Sequence, residues 1–247
     1  MHTFYTPGIQ GKLHQLEKQE SQHCINVLRL QVGDKIILVD GKGGYYKAKI
    51  KTPDSHKCTV EIISSKHEVG KKNFKLHIAI APTKNINRFE WFLEKATEIG
   101  IDEITPLLCE RSERKTIRNE RLDKVIVSAM KQSVKAYKPK LNRITNFTEF
   151  VSLKHSFNKF IAYCDKKSNP ELKELVTIGD DILILIGPEG DFSSEEVHQA
   201  TKNGFYSIQL GTSRLRTETA GIVACHTVNL VNQCQGKRQK AEGKREE

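Results

Sequence analysis

The sequence predicts an α/β protein: a small β-rich domain and a short linker precede a larger domain built on a mostly parallel sheet. Three observations carry this expectation. Residues 1 to about 70 hold short strand-like runs joined by glycine turns. From residue 74, apolar runs alternate with helical patterns, the rhythm of an α/β domain. Finally, Ile182-Leu183-Ile184-Leu185-Ile186 lacks polar alternation, as a parallel strand covered on both faces would.

In chain order, Glu20–Leu30 is a helical candidate with Cys24, Val27 and Leu28 on one side. Strands are expected at Lys35–Val39, Tyr45–Ile50 and Thr59–Ile63, with Asp40-Gly41-Lys42-Gly43-Gly44 turning between the first two. Such short strands suggest a small barrel, and Glu68 to Asn73 suits a linker. Beyond it, strands are expected at Lys75–Ala81, Glu103–Leu108, Lys159–Cys164, Ile182–Ile186 and Ser207–Leu210. Helices are expected at Arg88–Ile99, Arg121–Tyr137, Ser193–Lys202 and Glu218–Gln233. Gln235 to Glu247 is nearly all polar and reads as a disordered tail. The expected domains are therefore residues 1–70 and 74–234, followed by the tail at 235–247.

The 247 residues suffice for a substantial core, and 28% charged residues describe a globular chain. The longest unbroken aliphatic run, Ile182–Ile186, is far too short for a membrane span. With no signal-peptide pattern at the start, the chain is expected in the cytoplasm. The six cysteines are scattered without a C-x-x-C pair, so they read as reduced core thiols rather than a disulfide frame or a zinc site. The net charge is +10, and its excess is densest from Arg111 to Arg143, where eleven basic side chains meet three acidic ones. Phosphate backbones attract such a segment, although a solvated helix face fits the same charges.

Two segments carry candidate chemistry. In Ile186-Gly187-Pro188-Glu189-Gly190-Asp191-Phe192-Ser193, a buried strand ends in a glycine-proline loop and a helix begins. Ser193 with Glu196 has the form of a capping box. Ligands of open α/β sheets sit beyond the carboxyl ends of strands, where such loops lie. In Leu210-Gly211-Thr212-Ser213-Arg214-Leu215-Arg216-Thr217-Glu218-Thr219-Ala220, a second strand ends in glycine and a long helix opens. Thr217 is expected to cap it, with Glu218 at the positive end of its dipole. Tight turns needing glycine for their dihedrals would explain both loops as well as a ligand would. No P-loop, dinucleotide fingerprint, hydrolase elbow or H-E-x-x-H pattern is present, which removes several common enzyme classes.

Together, Ile186-Gly187-Pro188-Glu189-Gly190, Leu210-Gly211 and Leu215-Arg216-Thr217-Glu218-Thr219-Ala220 resemble the bacterial 16S ribosomal RNA uridine-N3 methyltransferases. This is the small-subunit rRNA methyltransferase E type of the SPOUT superfamily. The likeness extends to Lys95-Ala96-Thr97-Glu98-Ile99-Gly100, Glu110-Arg111-Ser112, His23, Val27-Leu28-Arg29, Gly33-Asp34 and Asp40-Gly41. It thus spans nearly the whole chain in order. One departure is Lys135, where the family pattern leads one to expect arginine; charge is kept but bidentate phosphate binding is weakened.

The resemblance implies a PUA-like β-barrel, a trefoil-knotted α/β methyltransferase domain, a homodimer and S-adenosyl-L-methionine as cofactor. It implies cofactor binding by Ile186, Gly187, Glu189, Gly190, Leu210, Gly211, Leu215, Thr219 and Ala220. Its expected partner is 16S ribosomal RNA within an assembled or assembling small subunit. Uridine N3 must lose a proton during methylation, so Glu218 is a candidate base and Arg216 a candidate for stabilising charge on the uracil oxygens. Helix capping and phosphate binding are the alternatives for those two residues. Candidate RNA contacts are Arg29, Arg111, Arg114, Lys131 and Lys135. A ribose 2′-O methyltransferase of the same superfamily and a non-catalytic RNA-binding assembly protein are the competing functions.

Overall fold

A computed structural model describes residues 1–163 and 169–242, with 234–242 in backbone only. The chain forms two compact units: residues 1–71 with 127–138, and residues 72–126 with 139–247. The N-terminal unit contains β1 (Thr3–Tyr5), β2 (Leu13–Gln15), α1 (Lys18–Gln22), β3 (Lys35–Val39), β4 (Tyr45–Thr52) and β5 (Thr59–Lys66). They form one five-stranded sheet in the order β1-β3-β4-β5-β2. In β4 the side chains of Tyr46, Ala48 and Ile50 are buried and their neighbours are not, the period of two that a half-buried strand requires. Phe4, Leu16, Cys24, Ile36, Leu38 and Val60 complete this core. The Asp40–Gly44 turn is held by Asp40 Oδ1, which accepts from the amides of Lys42 and Gly44 at 2.8 Å each. The expected helix at 20–30 begins earlier and becomes a π-helical turn over His23–Val27. It stops before Arg29, whose φ of 54° is left-handed.

The second unit contains β6 (Leu76–Ile80), α2 (Ile86–Ile99), β7 (Glu103–Leu108), the first half of α3 (Asn119–Gln132), β8 (Lys140–Leu141), β9 (Thr145–Asn146) and α4 (Phe147–Ser152). After these come β10 (Asn158–Ala162), α5 (Leu172–Leu175), β11 (Ile182–Ile186), α6 (Ser194–Lys202), β12 (Tyr206–Ile208) and α7 (Thr217–Glu242). The sheet order is β12-β10-β11-β6-β7-β8, with β9 also pairing β7. Every one of these pairings is parallel. All five residues of β11 are buried, which accounts for its unbroken aliphatic run. Ile182, Ile184 and Ile186 join the core that includes Phe89, Phe92 and Val228. Leu183 and Leu185 face the opposite core, with Phe147, Phe150, Phe192 and Phe205. Of the strand expected at 159–164, the last residue, Cys164, lies outside the described residues.

Two boundaries differ from expectation. Helix α3 stops at Gln132 rather than Tyr137, because Val134 turns left-handed (φ 53°) and the Lys135 amide donates back to the Met130 carbonyl. Residues 127–138 group with the N-terminal unit: Met130 packs with Ile37 and Val39, and the Gly43 amide donates to the Ala136 carbonyl. At the other end of the chain, α7 runs to Glu242 and so passes through most of the expected disordered tail. Gln, Lys, Arg, Ala and Glu are strong helix formers, and they extend a helix already anchored by packing.

Helix α7 lies on α2, and Gly221 permits the approach. A Cβ there would stand 2.6 Å from the Phe92 ring and 2.9 Å from Ile80 Cδ1. Gly221→Val should therefore lower the urea midpoint of unfolding, costing about 1–3 kcal/mol through overpacking. A second expectation concerns His77, buried in β6 and 2.8 Å from Thr105 Oγ1. Burial lowers its pKa from 6.5 to about 4. The folded state thus favours the neutral ring, contributing stability that is intact above pH 6.5 and lost as pH falls from 6.5 toward 4. That contribution amounts to roughly 3 kcal/mol. Thermal unfolding at pH 7 and pH 4.5 should show the gap between wild type and His77→Gln narrowing in acid.

Candidate active site

Strands β12, β10, β11 and β6 end side by side, at Ile208, Ala162, Ile186 and Ile80. Beyond the first three lies a cavity of about 420 Å³. Ile186, Gly187, Glu189 and Asp191 line it from the loop after β11. Leu210, Gly211, Ser213, Arg214, Leu215 and Arg216 line it from the loop after β12, and Glu218 and Ala220 from the first turn of α7. Two loops separated in sequence by α6 and β12 thus share one cavity, the location expected for a ligand of a parallel sheet.

The loop after β11 is braced on several sides. The Asp191 amide donates to the Pro188 carbonyl at 2.9 Å, and Asp191 itself holds a left-handed φ of 62°. Ser193 and Glu196 form the expected capping box, and Gly204 (φ 81°) follows the far end of α6. Glu196 is buried, and its Oε1 also accepts from the Glu110 amide at 2.9 Å. Arg111 donates through Nη1 to the carbonyls of Gly190 (3.0 Å) and Phe192 (3.4 Å). Glu189 Oε1 accepts from the Lys84 amide at 3.0 Å, tying this loop to the one after β6. Arg114 Nε donates to the Thr83 carbonyl of that same loop at 3.0 Å. The loop after β12 needs glycine for conformation: Gly211 has φ 113°, with open space where a Cβ would point.

Two of the expected cofactor residues stand apart from the cavity lining. Gly190 is exposed, and a Cβ there would meet Arg111 at 3.4 Å. Thr219 lines a neighbouring recess instead. Helix α7 also starts differently from the capping expectation. Ala220 donates its amide to the Arg216 carbonyl at 2.8 Å, so Arg216 occupies the N-cap position and Thr217 is the first helical residue. Arg216 is exposed, whereas Glu218 is 7% exposed. Arg88 stands beside Glu218, its Nε 3.9 Å from Oε1. A buried carboxylate is costly without close partners, so one facing a cavity is a functional candidate. Arg88 also lines the cavity and was missed by sequence reading; its place in the first turn of a helix after a strand end is the signal that points to it. Tyr163 and Gln209 line the cavity as well.

The five candidate RNA contacts do not form one set. Arg111 and Arg114 belong to the second unit and are engaged with backbone carbonyls. Arg29, Lys131 and Lys135 belong to the N-terminal unit. Lys131 pairs with Glu20 at 2.7 Å in a largely covered ion pair. Arg29 is exposed, and Lys135 is partly so. Among the described residues no group of His, Cys, Asp and Glu is placed to hold a metal ion, and no helix is long and apolar enough to cross a membrane. Cys24, Cys58, Cys109 and Cys225 are buried.

Because Arg111 bridges the loop after β11, its removal should be felt locally. Arg111→Ala should raise amide exchange at Gly190–Phe192 by about tenfold, the loss of one to two modest hydrogen bonds. Hydrogen-exchange mass spectrometry checks this, with β11 as the unchanged internal reference.

Comparison with known proteins fits this geometry. A family profile described as "RNA methyltransferase domain" matches residues 70–229, and one described as "RNA methyltransferase PUA domain" matches residues 16–63. A "Ribosomal RNA small subunit methyltransferase E" from Mesomycoplasma hyopneumoniae is 33% identical, over 83% of this chain and 93% of its own length. A Porphyromonas gingivalis crystal structure described as a probable rRNA-methyltransferase is 40% identical with a TM-score of 0.87, covering 95% of this chain and 99% of that one. A Neisseria gonorrhoeae ribosomal RNA small subunit methyltransferase E, solved bound to S-adenosyl methionine, is 25% identical with a TM-score of 0.86, covering 94% of this chain and 98% of that one. The chain belongs to the RNA methyltransferase family that includes the ribosomal RNA small subunit methyltransferases E.

Proposed function

We propose that this protein methylates N3 of a uridine in 16S ribosomal RNA, using S-adenosyl-L-methionine. The observation that carries the reading is the shared cavity: two glycine loops at strand ends, with buried Glu218 and exposed Arg216 at one wall. The residues present suit the cofactor. Ile186, Ile208, Leu210 and Leu215 offer apolar surface for an adenine ring, and loop main chain offers donors and acceptors for its edge. Glu189 and Asp191 bring negative charge toward a cationic ligand. A cavity of about 420 Å³ lies within the usual range for small-molecule sites. Gly187, Gly211 and Ala220 keep the walls close to backbone, while Gly190 supports the loop through Arg111 and Thr219 faces the adjoining recess.

S-adenosylmethionine supplies, when bound, an electrophilic methyl carbon and a neutral thioether leaving group. Glu218, in the first turn of α7, is the proposed acceptor of the N3 proton, leaving the N3 electron pair to form the new N–C bond. Arg216 stabilises the negative charge that develops on the uracil oxygens. The loops hold nucleophile and methyl carbon in line and exclude water, which is chiefly a task of orientation. The family kinship also supports a trefoil-knotted second unit, a closed PUA-like barrel in the first, a homodimer, and action in the cytoplasm on assembled or assembling small subunits. Arg29, Lys131 and Lys135 are the proposed phosphate contacts of the N-terminal unit; Arg111 and Arg114 combine any such role with loop support.

Tritiated methyl transfer to undermodified small-subunit RNA, naked and as particles, should yield N3-methyluridine on nucleoside analysis. A ribose-methylated product, or cofactor binding without transfer, would overturn the assignment. Glu218→Gln should lower kcat by about 100-fold or more while leaving cofactor affinity nearly unchanged. Replacing Arg29 and Lys135 together by Gln should flatten the slope of log RNA affinity against log salt by about 1.4–1.8 if both touch phosphate. Filter binding across a salt series reads that slope directly.

A further inference from the structure

A second recess adjoins the cofactor cavity and has no part in the mechanism above. Its volume is about 340 Å³, and it is lined by Asn87, Arg88, Trp91, Arg216, Glu218 and Thr219. Arg88, Arg216 and Glu218 line both spaces, so the recess opens onto the groups proposed to handle the N3 proton. Trp91 follows Asn87 by four residues and Arg88 by three on α2, the two spacings that make neighbours on a helix surface. Trp91 is the chain's single tryptophan and is 43% exposed, although α2 buries Phe89, Phe92 and Leu93 in the core. A large aromatic left in water beside two arginines, at the edge of a ligand cavity, is poor packing and a good stacking platform.

We infer that this recess receives the target uracil after it leaves the RNA stack, with the base lying against the Trp91 indole. The inference rests on the methylation reading and names its substrate subsite. A flat base with two carbonyl oxygens and one N–H matches the lining: an indole for its face, Arg88 and Arg216 for its oxygens or phosphate, and Glu218 for its N–H. Asn87 adds an amide able to pair with a base edge. Extrusion of the base costs stacking energy, and an aromatic partner in the site returns part of it.

The single tryptophan makes the test direct. With S-adenosylhomocysteine bound, oligouridylate at low salt should quench Trp91 emission, and an abasic oligonucleotide of equal length should not. Trp91→Ala should lower kcat/KM for undermodified small-subunit RNA by about 10- to 100-fold, with cofactor affinity within about threefold of wild type. Trp91→Phe should keep most of the activity, since a smaller ring still stacks. Should Trp91→Ala lose cofactor binding through misfolding, Trp91→Phe and the wild-type quenching titration decide the matter. Base-independent emission together with an unimpaired Trp91→Ala overturns the stacking site alone, as does emission that changes only on dilution because a second copy covers the indole. A wild-type enzyme that methylates no uridine overturns the methylation reading and this inference with it.

Discussion

Strand β11 is the constraint on which the second unit depends. It lies between β10 and β6, gives alternate side chains to two separate cores, and leaves none for solvent. At about 25 cal/mol per Å² of apolar surface, each of its five aliphatic side chains contributes on the order of 1.5–3 kcal/mol when fully covered. That burial sets where the strand must stop, because Gly187 and Pro188 cannot continue a ladder covered on both faces. The loop that follows is then fixed at the carboxyl edge of the sheet. Its neighbours β6 and β10 are placed by the same pairing, in register from Ile182 to Ile186.

The loop itself is held by polar contacts in addition to the burial of Phe192. Glu189 reaches the loop after β6, Arg111 reaches in from the segment after β7, and Glu196 ties the start of α6 to Glu110. Three carboxylate or guanidinium groups thus satisfy backbone groups that a turn would otherwise leave to water. Precision of this kind matters for in-line group transfer, where small displacements of the reacting atoms are costly. Arg111 and Arg114 look from charge alone like phosphate ligands, yet their nitrogens are aimed at carbonyls.

Helix α7 joins the two loops into one site. Gly221 lets it sit against Phe92 and Ile80, so its first turn arrives beside the end of β11. Glu218 is buried by that approach while Arg216, at the N-cap, stays in solvent. A carboxylate at the positive end of a helix is favoured electrostatically, and this offsets part of its desolvation. The same approach brings α2 to the rim, with Arg88 and Trp91 beside the first turn of α7.

Much of this was legible in the residues. The apolar run of β11, the Ser193–Glu196 box and the glycine loops follow from local rules of burial, capping and backbone freedom, which act over a few residues. The family wording around Gly187 and Leu215 likewise pointed to one pair of loops. Short strands such as β1 and β2 were not legible, because three residues carry too little periodicity to stand out. Nor was the grouping of residues 127–138 with the N-terminal unit, which depends on Met130 meeting Ile37 and Val39 far away in sequence. Nor is the continuation of α7 to Glu242 legible, because polar composition alone does not distinguish a tail from the end of an anchored helix. Local chemistry determined which loops carry the site and where they begin; only tertiary packing decided that Arg88 and Trp91 stand beside Glu218, because side chains separated by more than 120 residues meet through the fold and leave no local trace in the sequence.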